Sequence, residues 1–240
     1  MIATADPATF SLIQRLADNK YWLGRRYAEW CTAAPTLESA VAAAAMAQDE
    51  IGHARSLYPL FRQFVGHDVE PENRESFSAL GALDRPFENW VDFVATNFLI
   101  DTALTVLLEA GRESTYDDLR TRARRIVGEE HIHWLHGQGW VKRLGRESSG
   151  TRMALEEALQ RRGTEAIMWF GSDDSNGVRH LLDSGVLGSS AVEMRNDYLK
   201  RVDAVLRDAS MSTTADWLLR TATRLPWQQW DGERYRLNIG

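Results

Sequence analysis

Two stretches, "AQDEIGHARS" (47–56) and "GEEHIHWLHG" (128–137), decide how this chain is read. Each holds Glu-x-x-His: Glu50 with His53, and Glu130 with His133. Three residues along a helix return to nearly the same face, so each motif turns a carboxylate and an imidazole in one direction. One copy arises often by chance and reads as a salt-bridge residue. Two copies, each near the middle of a long helical pattern, are a stronger signal. Between them lies the apolar run "FVATNFLIDTALTVLL" (93–108), interrupted by Asp101. The face Val94, Phe98, Asp101, Thr105, Leu108 puts that carboxylate on a buried stripe. A lone carboxylate there needs a cation or several hydrogen bonds.

These pieces fit a two-metal carboxylate bundle. In it, two helices each give Glu-x-x-His and the other two each give one carboxylate, all pointing inward. Carboxylates neutralise and bridge divalent ions, and one imidazole per metal suits iron or manganese. The expected metal ligands are Glu50, His53, Asp101, Glu130 and His133.

The rest of the chain supports an all-α fold. Apolar residues at Ile13, Leu16, Leu23, Tyr27 and Trp30 mark a first helix over 9–31. Pro35, Thr36 and Glu38 open a second, running to about Val65. "GHDVEPENRESFSALGAL" (66–83) reads as loop. Asp84 and Pro86 are suited to start a third helix, ending at Gly111. Thr115 with Asp118 resembles a capping box for a fourth, running to about Leu144. Beyond it, residues 151–170 look helical, and 171–185 read as loop with a short helix. Ser190 with Glu193, and Thr213 with Asp216, can start two more helices. No strand-type alternation appears. The expectation is one all-α domain over 1–240: a metal-binding core of four antiparallel helices at about 9–145, with two or three accessory helices at about 150–225.

Bulk properties narrow the class. The chain has 240 residues, 44% hydrophobic and 26% charged, with net charge -6. That is ordinary for a globular protein and gives no footprint for nucleic acid. One cysteine, Cys31, excludes internal disulfides and a cysteine-built metal site. It reads as a small buried hydrophobe. "MIATADPATF" lacks a basic stretch followed by an apolar one, and the 93–108 run falls short of a clean membrane span. The expected location is the cytoplasm, without membrane attachment.

The chain also resembles the phenylacetyl-CoA epoxidase subunits. "APTLESAVAAAAMAQDEIGHARSLY" is similar to the catalytic subunit, which carries a QDE-x-GH motif after APTL. "DNKYWLGRRYAEWCTAAPTLE", "NWVDFVATNFLIDTALTVLL" and the ending "RLPWQQW" are closer to the structural subunit. The resemblance covers most of residues 12–145. It implies a ferritin-like fold and oxygen chemistry on an acyl-CoA or similar substrate. Glu50, His53, Asp101, Glu130 and His133 match the catalytic subunit's ligands.

One position departs. The catalytic subunit has a glutamate on the first helix, ten residues before its terminal tryptophan. Counting back from Trp30 gives Lys20. The stripe Ile13, Leu16, Lys20, Leu23, Tyr27 also turns Lys20 inward, whereas Glu29 lies about 180° away and reads as surface. Lys20 is therefore the candidate catalytic residue. It can stand in for one metal, act as a neutral ligand, become a carbamate, or reach out to solvent while a water fills its place. By charge, three carboxylates and one ammonium total -2, which balances one divalent ion. The implied cofactor is iron, as two ions or as one if Lys20 replaces a metal, with manganese an alternative.

Three functions follow. The first is a non-haem iron oxygenase or oxidase, fed by a separate reductase because no flavin, nicotinamide or iron–sulfur motif is present. The second is a non-catalytic structural partner with a vestigial site. Metal storage is a third, with no supporting feature. The expected assembly is a homodimer or a heteromer with a related protein of the same complex. Among weaker signals, His136 lies one turn beyond His133 and His131 faces elsewhere. "RTRARR" (120–125) reads either as a patch for CoA phosphates or a reductase, or as a solvated helix start.

Overall fold

The computed structural model describes residues 6–238 and is helical through most of them. Helix α1 (Pro7–Ala28) begins under Asp6, whose carboxylate accepts from the backbone N–H of Ala8 and Thr9. Pro7 sits in the first turn, where its missing N–H costs nothing. Helix α2 (Leu37–Leu57) begins under Thr36, whose hydroxyl accepts from Ser39 N at 3.2 Å. Pro59 then falls in a tighter 3-10 turn, Tyr58–Phe61, followed by a last turn, Arg62–Val65. The helix expected to Val65 is thus continuous but not uniform.

Helix α3 (Trp90–Ala110) starts later than expected. Asn89 caps it, accepting from Asp92 N at 3.0 Å. Asp84 pairs with Arg236 instead, and Pro86 lies before the helix. Midway, Asn97–Asp101 form a π-turn between Trp90–Thr96 and Thr102–Ala110. Its most apolar window is 94% buried, so this segment is the central helix of the bundle. Helix α4 (Asp117–Gly145) does not use the expected Thr115–Asp118 box. Thr115 donates to Ser184 O, and the Asp118 carboxylate accepts from Gln63 and Arg122.

Helices α1 to α4 make a ferritin-like four-helix bundle. Four further helices pack on it rather than two or three: α5 (Ser149–Met168), α6 (Asn176–Asp183), α7 (Ala191–Asp208) and α8 (Ser212–Ala222). Helix α5 packs on α3, and α7 on both α3 and α4. The Ser190–Glu193 capping box forms as expected. The Thr213–Asp216 box does not; α8 begins at Ser212, and Asp216 pairs with Arg207. The chain then makes a small antiparallel pair, β1 (Trp230–Asp231) with β2 (Arg236–Leu237). Two-residue strands leave no alternation to read in a sequence.

Two glycines let the helices close on the centre. A Cβ on Gly24 would lie 2.9 Å from Ile51 Cγ1 and 3.0 Å from Glu50 Cβ, so α1 and α2 are in near-backbone contact beside Glu50. A Cβ on Gly137 would lie 2.8 Å from Asn97 Oδ1, which seats α4 against the π-turn.

Candidate metal centre

All five expected ligands converge, and all are buried, at 3% exposure or less. Glu50 and His53 come from α2, Asp101 from the π-turn of α3, and Glu130 and His133 from α4. Ligand atoms of Glu50, Asp101, Glu130 and His133 lie within 4.8 Å of one another. That is the spacing of a cation site, and a cation is already there. Lys20, from α1 and itself 0% exposed, donates to Glu50 Oε1 at 2.9 Å, Asp101 Oδ1 at 3.0 Å and Glu130 Oε1 at 2.6 Å.

This geometry excludes one of the alternatives for Lys20 and bears on the others. It does not reach solvent; burial excludes that. Among the carboxylates alone it is an ammonium: burial by itself pulls its pKa down, but Asp101, Glu130 and Glu50 more than reverse this and hold it well above the ordinary lysine value. A carbamate would place a fourth negative charge against three carboxylates unless metal ions neutralised it. The three hydrogen bonds are those of an ammonium standing where a metal would. Glu29, as expected, is exposed and pairs with Arg26.

The imidazoles add to the positive charge. Burial opposes protonation of His53, but its contacts with Glu130 and Glu50 raise it to about 10. Burial opposes it at His133 too, and Glu130 and Asp101 raise that ring to about 12. In the absence of a metal, one ammonium and two imidazoliums face the three carboxylates, with Glu129 and Asp49 on the outer nitrogens of the rings.

Neighbouring groups fix the ligands in place. Tyr27 donates its hydroxyl to Asp101 Oδ2 at 3.1 Å, and Asn97 Nδ2 donates to the same oxygen at 3.3 Å. His136 Nδ1 lies 3.1 Å from Asn97 Oδ1, so this ring reaches the cluster through Asn97. The Thr105 hydroxyl lies 3.0 Å from Glu130 Oε2. The outer nitrogens of the two histidines are held across the helices. His53 Nε2 lies 2.8 Å from Glu129 Oε2, on α4, and His133 Nε2 lies 3.4 Å from Asp49 Oδ2, on α2. Reading the motifs alone does not single out Glu129 and Asp49. The available signal is the acidic residue directly before each motif glutamate.

The donor set fits a cation but does not fit two metal ions alongside Lys20. Its ammonium fills the space among the three carboxylates, and the fourth carboxylate of a two-metal site is missing. Two ligand atoms remain without hydrogen-bond partners: Glu50 Oε2 and His53 Nδ1, 3.8 Å apart. His53 Nδ1 is also 3.1 Å from Glu130 Oε1, but not at a hydrogen-bonding angle. A divalent ion on the His53 side would have to displace the proton of that imidazolium.

A family profile described as Phenylacetic acid catabolic protein matches residues 1–232. The chain belongs to that family. Two relatives place the likeness more closely, both of them components of the 1,2-phenylacetyl-CoA epoxidase of Escherichia coli strain K12. The chain is 27% identical to one over 165 residues, covering 67% of this chain and 66% of the relative. It is 28% identical to the other over 152 residues, covering 61% of this chain and 48% of the relative. The chain thus spans about two thirds of one curated relative and about half of the other.

The secondary signals sort simply. His131 is exposed. Each arginine of the 120–125 run is paired with a nearby acid: Arg120 with Asp117, Arg122 with Asp118, Arg124 with Glu113 and Arg125 with Glu129. The run is a self-neutralised helix start. Cys31 is half-buried rather than buried.

Proposed function

We propose that this chain is a component of a multicomponent oxygenase that acts on an acyl-CoA or similar organic substrate, and that its part there is that of the structural partner. The observation that carries this is the ammonium of Lys20, held within hydrogen-bond distance of Glu50, Asp101 and Glu130. A bundle of this kind needs its central carboxylates neutralised to stay folded. Lys20 supplies part of that charge internally, and the imidazoles of His53 and His133 add to it, so the chain depends less on metal. A separate, homologous protein would carry the oxygen chemistry, and a reductase would supply its electrons. The complex is read as cytoplasmic.

The chain, purified without oxygen and supplied with Fe(II), tests this. The reading expects less than one iron per chain, no O2 consumption by the chain alone, and activity only with a catalytic partner. Two tightly held irons and O2 consumption in the isolated chain would refute it.

One observation favours a second reading, an iron- or manganese-dependent oxygenase using this site. Glu50 Oε2 and His53 Nδ1 are buried without partners, as ligand atoms awaiting an ion would be. On that reading Glu50, His53 and Glu130 hold one ion, which would supply the redox chemistry. It predicts one tightly bound iron per chain that His53→Ala removes.

A further inference from the structure

A second concentration of charge lies outside the carboxylate cluster. A cleft of about 690 Å³ opens where the 84–88 loop, α5 and the β1–β2 hairpin meet. Five arginines line it: Arg85, Arg161, Arg162, Arg234 and Arg236. Three acids line it as well, so the walls carry a surplus of two positive charges, on a chain whose net charge is -6.

Two of the arginines are engaged. Arg161 donates to Asp92 Oδ1 at 2.7 Å, and Arg236 pairs with Asp84. Among the described residues, Arg85, Arg162 and Arg234 have no ion-pair partner, and Arg162 Nε is buried with no acceptor. A buried donor without an acceptor inside the chain is uncommon and is open to a water or a ligand oxygen. Backbone groups do not compete for it. The N–H groups of Gly81, Ala82 and Leu237, which border the cleft, already donate to the Glu165 carboxylate at 2.7, 2.9 and 3.3 Å. Guanidinium forks are what this cleft offers, and their planar donor pairs match phosphate oxygens. The volume falls within the range of roughly 300–1,000 Å³ usual for small-molecule sites.

We propose that this cleft binds a small molecule bearing at least two phosphate groups, clasped by Arg85, Arg162 and Arg234. These three come from separate elements, the 84–88 loop, α5 and the β1–β2 turn, and a cleft of this volume has room for more than one phosphate group. The site is independent of the carboxylate cluster and of the function proposed for it.

Titration calorimetry on the full chain, with pyrophosphate, ADP, coenzyme A and inorganic phosphate, tests this. The first three should bind, more weakly as salt rises, and inorganic phosphate should bind roughly tenfold more weakly than pyrophosphate. Arg162→Gln and Arg234→Gln should each weaken pyrophosphate binding about tenfold, the loss of one charge-assisted contact. Arg124→Gln removes the same charge from the exposed start of α4 and should leave binding unchanged. Coenzyme A binding more tightly than ADP would mark an acyl-CoA carrier as the source of the phosphates; equal affinities would mark a nucleotide. Either result keeps the site. No binding of pyrophosphate at millimolar concentration would overturn the proposal. So would inorganic phosphate binding as tightly as pyrophosphate, or Arg124→Gln weakening binding as much as Arg162→Gln.

Discussion

Lys20 Nζ lies 2.6 Å from Glu130 Oε1, with both side chains shut away from water. The same ammonium holds Glu50 and Asp101, so one side chain on α1 ties together three carboxylates from α2, α3 and α4. Lys20→Met should therefore act as the loss of one partner from a buried ion cluster. The expected cost is about 3–5 kcal/mol, read by urea denaturation. A cost below about 1 kcal/mol, the scale of an exposed ion pair, would mean that the carboxylates take up protons or water without penalty, and that Lys20 is not their principal counter-ion.

Lys20→Glu changes the cluster by two charge units and restores a fourth carboxylate. Without metal, this variant should be less stable than the parent. With Mn(II) or Fe(II) present it should recover, by about 2.7 kcal/mol at a metal concentration a hundred times the Kd. The parent should gain much less. Thermal melts with and without metal make the comparison. Equal gains in parent and variant would show that Lys20 does not block metal.

Stability should depend on pH with a sign set by the imidazoles. His53 and His133 stand at about 10 and about 12 when folded, against an ordinary value of 6.5. The folded chain thus holds these protons more tightly than the unfolded chain. Their contribution is complete below pH 6.5 and is lost as pH rises towards 10 and beyond, at up to about 1.4 kcal/mol per pH unit for each ring. His136 works the other way. Burial and the nearby His133 lower it to about 4, so its contribution is present above 6.5 and is lost as pH falls from there to 4. Denaturation midpoints between pH 7 and pH 9 should decline, and more shallowly in His53→Gln. A rise over that interval would show that the two rings are neutral in the fold.

Tyr27→Phe removes a single hydroxyl that donates to Asp101 Oδ2. The expected loss is about 1.5–3 kcal/mol, typical of a hydrogen bond to a charged group. Urea denaturation of the variant beside the parent measures it. A neutral result would mean that Asn97 and His133 satisfy Asp101 without it.

Gly137→Ala places a methyl group against Asn97, the residue that links His136 to Asp101. It should cost about 1–3 kcal/mol as an overpacked contact. Gly139→Ala, two residues on and open to space, should cost nothing measurable or slightly stabilise α4. Equal effects from the two would show that helix propensity, rather than the π-turn contact, governs both.

How much of the fold and the site is legible in the sequence follows from local geometry. Glu-x-x-His spacing puts both groups on one helix face in any α-helix, so Glu50, His53, Glu130 and His133 read as two inward pairs. The inward stripes on α1 and α3 carry Lys20 and Asp101 with them by the same periodicity. The Ser190–Glu193 box is equally local, and it forms. Helix starts that depend on competing partners do not follow the sequence. Asp84 finds Arg236 on the C-terminal hairpin, and Thr115 finds Ser184, each far away along the chain. The π-turn at Asn97–Asp101 leaves no periodic trace in five residues. Nor can spacing say what Lys20 does, because that depends on three carboxylates from three other helices meeting one amine within 3.0 Å. Sequence alone determined which residues point inward. Only the packed bundle decided that the ammonium serves as the central cation, since Coulomb attraction over such distances, with water excluded, outweighs the cost of burying the charge.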